Sequence, residues 1–203
     1  MFIISSILDQ WFDERTKVCI DPLREVRAHF SESLRYHIKE SQQEVPGSYG
    51  IDFCASRKTG QRTVYPEIYW ETQFGFVLFV REASGYTPIA SIGFEKKSTY
   101  LFVRQLQGVK GMKKFLCPLH WEKLLYVTVV KFARELGLKE VRVCPAEKSN
   151  YHPFGNSECA RGLTLSECAQ RAERLHLIYN VTPKKCGFIW DEDSRTHTYV
   201  LPE

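Results

Sequence analysis

The sequence has no run of eighteen apolar residues, so nothing in it reads as a membrane-spanning helix. It has no C-x-x-C pair among its seven cysteines, and seven is an odd number. That pattern reads as reduced, mostly buried thiols in a cytoplasmic protein rather than a disulfide framework. A strong charge is also lacking. The formal net charge is +4, far less basic than proteins that coat nucleic acid, so nucleic acid is not the expected partner. Met1–Leu8 is apolar, but no basic cluster precedes it and no small-residue cleavage site follows. Asp9–Arg15 is charged and aromatic, so a secretory signal is not expected.

What is present suits a folded domain. The 203 residues fit one domain with an added segment, and a chain of this length buries roughly 70% of its unfolded surface without metal or disulfide. Asp21-Pro22 supplies an N-cap acceptor and then proline at the first helical position. Leu23, Val26, Phe30, Leu34 and Ile38 follow at spacings of three and four, which predicts a helix to about Gln42, with a shorter one over Asp9–Val18. Residues 1–45 thus form an N-terminal helical segment, and 46–203 the main domain.

Pro46-Gly47 centres a loop over 45–50. Strands are expected at Ile51–Ala55, Val64–Trp70 (interrupted by Pro66), Phe74–Val80, Pro88–Phe94 and Tyr100–Leu106. Turns at Lys58–Gln61, Ser84-Gly85 and Lys96–Ser98 make this an antiparallel meander. Then the pattern changes. Gly108–Gly111 is a glycine loop, His120–Leu136 a helix ended by Gly137, and Glu140–Cys144 a short strand. That order predicts two parallel strands joined through a helix. An irregular connection over 145–164 precedes a helix from Leu165 to about Tyr179, capped by Thr164 or Ser166, and Pro183 interrupts or restarts the helical pattern. A hairpin of Phe188–Trp190 and His197–Leu201 closes the chain. The class is α+β.

A strand ending in a glycine loop that leads to a helix can hold an anion. Backbone amides point inward, the helix N-terminus is partly positive, and Lys110, Lys113 and Lys114 add charge. Three features extend this. RQLQGVKG (Arg104–Gly111) follows the long strand, and a helix and strand ending LGLKEVRV (Leu136–Val143) come next. YNVTPKKCGF (Tyr179–Phe188) precedes the last hairpin. In this order they resemble the GNAT superfamily of acyl-CoA N-acyltransferases, whose coenzyme A loop reads Q/R-x-x-G-x-G/A; Gln105 and Gly108 match it.

The resemblance implies a mixed, mostly antiparallel sheet flanked by helices, with its fourth and fifth strands parallel and splayed. Acetyl-CoA or another acyl-CoA would enter there as cosubstrate. Its pantetheine would lie on the backbone of Arg104, Gln105 and Leu106, and its pyrophosphate on the amides of Gly108, Val109, Lys110, Gly111 and Met112. The acceptor would be an amine on a small molecule or a protein, with oligomerisation open. Glu95 is the first candidate for the base, with Glu67 and Glu71 next. Tyr179 is the candidate acid.

Two positions depart from the family. Lys110 stands where the second glycine or alanine belongs, and Pro183 where the tyrosine belongs. Tyr179 lies one turn earlier and can take the acid's place only in a shifted helix. These departures favour the alternative, a catalytically inactive GNAT-fold module that binds a ligand or partner. Cys117, His120, Cys144, His152 and Cys159 lack the second tight pair of a zinc site, so no metal is expected. A cysteine nucleophile with His120, His152 or His176 needs a proximity that spacing does not show. Arg171, Arg174, Lys184 and Lys185 read as a solvated helix face or as an attractor for a nucleotide or acidic partner, and Tyr151, His152, Phe154 and Arg161 of the long connection as a cover over the sheet end or as contacts to an acceptor.

Overall fold

The computed structural model describes residues 48–55, 71–82 and 85–202. Strands β1 (Ser48–Ala55), β2 (Phe74–Glu82), β3 (Gly85–Lys96) and β4 (Tyr100–Gly108) form the antiparallel meander. The one-turn helix α1 (Lys113–Leu116), a 3-10 turn at Cys117–Leu119 and the long helix α2 (Trp121–Glu135) lead to β5 (Glu140–Val143). β5 lies parallel to β4. A connection holding a 3-10 turn (Ala146–Lys148) and α3 (Ser157–Ala160) follows. Helix α4 (Leu165–His176) continues through a π segment (Leu177–Val181) into α5 (Thr182–Lys185). The hairpin β6 (Ile189–Asp191) and β7 (Thr196–Val200) completes one seven-stranded sheet, ordered β1-β2-β3-β4-β5-β7-β6.

The expected α+β class and mixed, mostly antiparallel sheet therefore hold for the described residues. The helices expected within 1–45, the turns at 58–61 and at Ser84, and the strand at 64–70 with Glu67 lie outside them. Of the loop expected over 45–50, the described residues 48–50 are strand instead. β1 already begins at Ser48, because β2 is long enough to pair with it through Arg81.

Alternation builds the core. Phe74, Phe76, Leu78 and Val80 of β2 point to one face with Ile51 and Phe53 of β1 and Ile92 and Phe94 of β3. Phe132 of α2 closes over them. The rings of Phe53, Phe76, Phe94 and Phe132 lie 5.3 to 6.4 Å apart, pair by pair. Such aromatic pairs add about 0.5–1.5 kcal/mol each beyond their buried area. Pro88 lacks a ladder donor, and the β2–β3 register slips beside it, between Leu78 and Phe79. The N-terminus of α4 is held by a capping box. Thr164 Oγ1 accepts the Glu167 N–H at 3.2 Å, and the Glu167 carboxylate accepts the Thr164 N–H at 2.8 Å.

Gly93 sits where β3 meets β4. A Cβ there would overlap the Thr72 hydroxyl, which bonds the Phe74 carbonyl at 2.9 Å, and would crowd Gln105 at 3.2 Å. Gly93→Ala is expected to lower stability by about 1–3 kcal/mol through overpacking, read as an earlier urea midpoint with unchanged slope.

Candidate functional site

β4 outruns its parallel neighbour. Pairing runs from Tyr100–Glu140 to Val103–Val143, and the Cys144 N–H then donates to the Val103 carbonyl at 2.9 Å. Beyond Cys144 the chain leaves through Pro145, while β4 continues to Gly108. On the other edge of β4, Gly93 faces Gln105 and Phe94 faces Val103, so Arg104 is an extra, bulged residue. The strand therefore passes the end of β5 with its backbone turned by a bulge.

A side chain fills the opening. The Leu106 N–H donates to the Tyr179 hydroxyl oxygen at 2.7 Å, and that hydroxyl donates to the Arg104 carbonyl at 3.4 Å. Tyr179 is fully buried. Burial pushes its phenol far above the ordinary tyrosine range. Cys144 and Glu71 add to that, while the Leu106 amide and Ser149 pull the other way.

Tyr179 arrives on an irregular turn, and Pro183 explains it. In α register the donor for the Tyr179 carbonyl is residue 183, which has no N–H and whose ring crowds that carbonyl. The helix instead widens to π register, with the Thr182 N–H bonded to the Leu177 carbonyl. That register shifts the missing donor onto the Ile178 carbonyl, five residues before the proline. The buried Tyr126 hydroxyl of α2 supplies the bond at 3.1 Å. Asn180 ties the segment to the 3-10 turn after β5. Its Oδ1 accepts the Ala146 N–H at 3.0 Å, and its Nδ2 donates to Glu147 at 3.0 Å. Of the two readings of Pro183, the structure takes the restart: a fresh α turn, Thr182–Lys185, begins after the π segment with the proline in its first turn.

The structure brings Arg104, Leu106 and Tyr179 together and leaves Glu95 one side chain away. Glu95 pairs with Lys97 at 2.8 Å and with Arg104 at 3.1 Å. Burial raises its carboxyl, but the bonds and charges of Lys97 and Arg104 outweigh that and hold it below the ordinary glutamate range. Of the two, it is Glu71 whose charge bears on the phenol. Its carboxylate accepts the Asn150 amide at 3.2 Å, and its own N–H donates to the buried Gln105 side chain at 3.0 Å. Through Asn150 the long connection is fastened at this end of the sheet.

The glycine loop differs from expectation in one respect. It opens on the one-turn α1, and the long helix starts only at Trp121, after a turn containing Pro118 and a left-handed His120. The positive end of α2 therefore does not lie directly after the loop. The Val109 N–H donates to Ile89 at 2.8 Å and the Met112 N–H to Val109 at 3.2 Å, whereas Lys110 and Gly111 make no such backbone bond among the described residues. Gly111 takes φ +88, a left-handed backbone suited to glycine. Gly108 has another reason: a Cβ there would press on Leu116 and Trp121 at 3.3 Å. Lys110, Lys113 and Lys114 are exposed around the turn.

Cys117, Cys144, Cys159, Cys168 and Cys186 are free thiols. Among the described residues no three His, Cys, Asp or Glu side chains gather as a metal would need, and no helix is long and apolar enough to cross a membrane. Phe154 and Arg161 of the long connection are exposed, His152 packs on Phe154, and Arg171 donates to the Cys159 carbonyl. Sequence reasoning did not find Tyr126, Ser149 or Asn180 as parts of this site. Pro183 was the available signal, since it announces a carbonyl needing a side-chain donor. No family model matches the chain, and no curated protein matches it.

Tyr179→Phe leaves the Leu106 amide buried without its acceptor. The expected cost at neutral pH is about 1–3 kcal/mol in urea denaturation. The folded phenol is raised above its unfolded value of about 10, so its contribution is complete below pH 10 and is lost as pH climbs toward the folded value. The gap between wild type and Tyr179→Phe should therefore narrow above about pH 10.

Proposed function

We propose that this chain is an acyl-CoA-dependent N-acyltransferase of GNAT type, moving an acetyl or other acyl group to an amine acceptor in the cytoplasm. One observation carries the reading. Parallel strands β4 and β5 part at Val103 and Val143, and a tyrosine hydroxyl stands in the gap on the bulged backbone of 104–106. The family resemblance assigns pantetheine to that backbone. It assigns pyrophosphate to the following turn, where the Lys110 and Gly111 amides sit among three exposed lysines. The π register supplies the shifted helix that Tyr179 needs to act in place of a tyrosine at 183.

In this reading the amine nitrogen attacks the acyl carbonyl carbon, and the C–S bond breaks. The Leu106 N–H donates to the carbonyl oxygen as it gains charge. Glu71, held by Asn150 and without the two cations that pair Glu95, is the better candidate to take the proton from nitrogen. The raised phenol keeps its proton against a thiolate of pKa about 8.5. Tyr179 therefore steadies the leaving sulfur by hydrogen bonding, and the thiolate takes its proton from water. The pairing of Glu95 with two cations favours a second reading, a binding module of the same fold without turnover.

Saturating acetyl-CoA, at about a hundred times Kd, should raise Tm by roughly 5–10 °C. Lys110→Glu should weaken that binding about tenfold by repelling phosphate. Glu71→Gln should slow thiol release on an amine panel while leaving the thermal shift intact. Stabilisation with no thiol release from wild type selects the binding module, and no stabilisation at all removes both readings.

A further inference from the structure

We infer, resting on the acyl-CoA reading, that Tyr179 is a built-in competitor. Its hydroxyl occupies the Leu106 amide that the carbonyl of an entering acyl-CoA must use, so the two oxygens compete for one N–H. The contact is a buried bond of 2.7 Å between elements 73 residues apart in sequence, with a second bond from the same oxygen to Arg104. It is not an accident of a loose side chain. Pro183 sets the π register, the Tyr126 hydroxyl secures the Ile178 carbonyl before it, and Asn180 secures the residue after it.

The consequence is quantitative. A ligand that binds only the uncapped form has its apparent affinity reduced by the uncapped fraction. Removing the hydroxyl removes the competitor but keeps the ring that fills the gap. Binding and turnover should then move in opposite directions, because the same oxygen that blocks the amide at rest steadies the sulfur once the ligand is seated. A residue with a purely structural role would impair both together.

The test is calorimetric titration of acetonyl-CoA, which keeps a carbonyl beyond a thioether that an amine cannot cleave, into the full chain and into Tyr179→Phe. The expected result is binding about fivefold to tenfold tighter in the variant, from loss of one competing hydrogen bond, with slower thiol release from acetyl-CoA and an amine. Equal or weaker binding by the variant, with wild type binding acetonyl-CoA, overturns the capping and leaves the transferase reading standing. Binding by neither overturns both. Amide NMR of the wild type gives a measurement independent of the variant's folding. Acetonyl-CoA should shift the Leu106 amide and the Tyr179 ring resonances along one saturation curve. Saturation seen at Lys110–Lys113 with Leu106 unmoved overturns the inference as well.

Discussion

A proline has no N–H, and at position 183 that absence organises the most chemically distinctive part of the molecule. The turn before it cannot close in α register, so it widens, and two buried tyrosines resolve the result. Tyr126 donates a hydrogen bond to the orphaned Ile178 carbonyl, and Tyr179 is delivered to the edge of β4 that β5 leaves unpaired. These two are the largest fully buried side chains among the described residues. Neither can be replaced by phenylalanine without leaving a buried polar group unpaired. Both phenols are raised by burial, which keeps them as neutral donors.

The sheet needs this helix as much as the helix needs the sheet. A parallel strand that stops early leaves its neighbour's N–H and C=O groups open, and buried backbone groups must find partners. β5 stops at Val143 because Pro145 follows at once. β4 cannot stop there, since β3 pairs with it as far as Gly108. The bulge at Arg104 concentrates the mismatch in three residues. One hydroxyl, acting as acceptor for Leu106 and donor to Arg104, answers both polarities. A serine or threonine at 179 would be too short to reach the strand from the helix and would leave the volume of the ring empty.

Much of this architecture is legible in the residues. Alternation in Phe74–Val80 and Tyr100–Leu106 identifies strands because one face is buried, and the spacing from Trp121 to Leu136 identifies α2 because its stripe meets that face. The sequence offers Thr164 or Ser166 as the cap of the next helix, and Thr164 takes the role in a capping box with Glu167. The start of β1 at Ser48 was hidden, because its pairing is decided by the length of β2, not by local signals. The π segment was hidden for a related reason. Pro183 marks a difficulty, but whether the helix stops, kinks or widens depends on a donor fifty-two positions before Ile178, on another helix. Tyr179 was readable as a candidate by resemblance. Its bond to Leu106 was not, since it requires knowing where β5 ends. Glu95 was singled out from its place on a strand, and spacing gave no warning that Lys97 and Arg104 both lie on it.

The strength of the cap decides what it can be. A hydrogen bond formed inside a protein contributes only about 0.5–1.5 kcal/mol net, whereas a buried amide left unmade costs about 1–3 kcal/mol. The Tyr179–Leu106 contact is therefore strong enough for the fold to require it, yet weak enough to yield to another acceptor. On the proposed acyl-CoA reading, phosphates would gain charge-assisted bonds at the lysine-flanked turn a few residues on. Those contacts would leave Tyr179 undisturbed, while the phenol and an incoming carbonyl would contend for one N–H. The proposal thus separates anchoring, at Gly108–Met112, from the step that would admit the reactive end of the ligand, at Leu106.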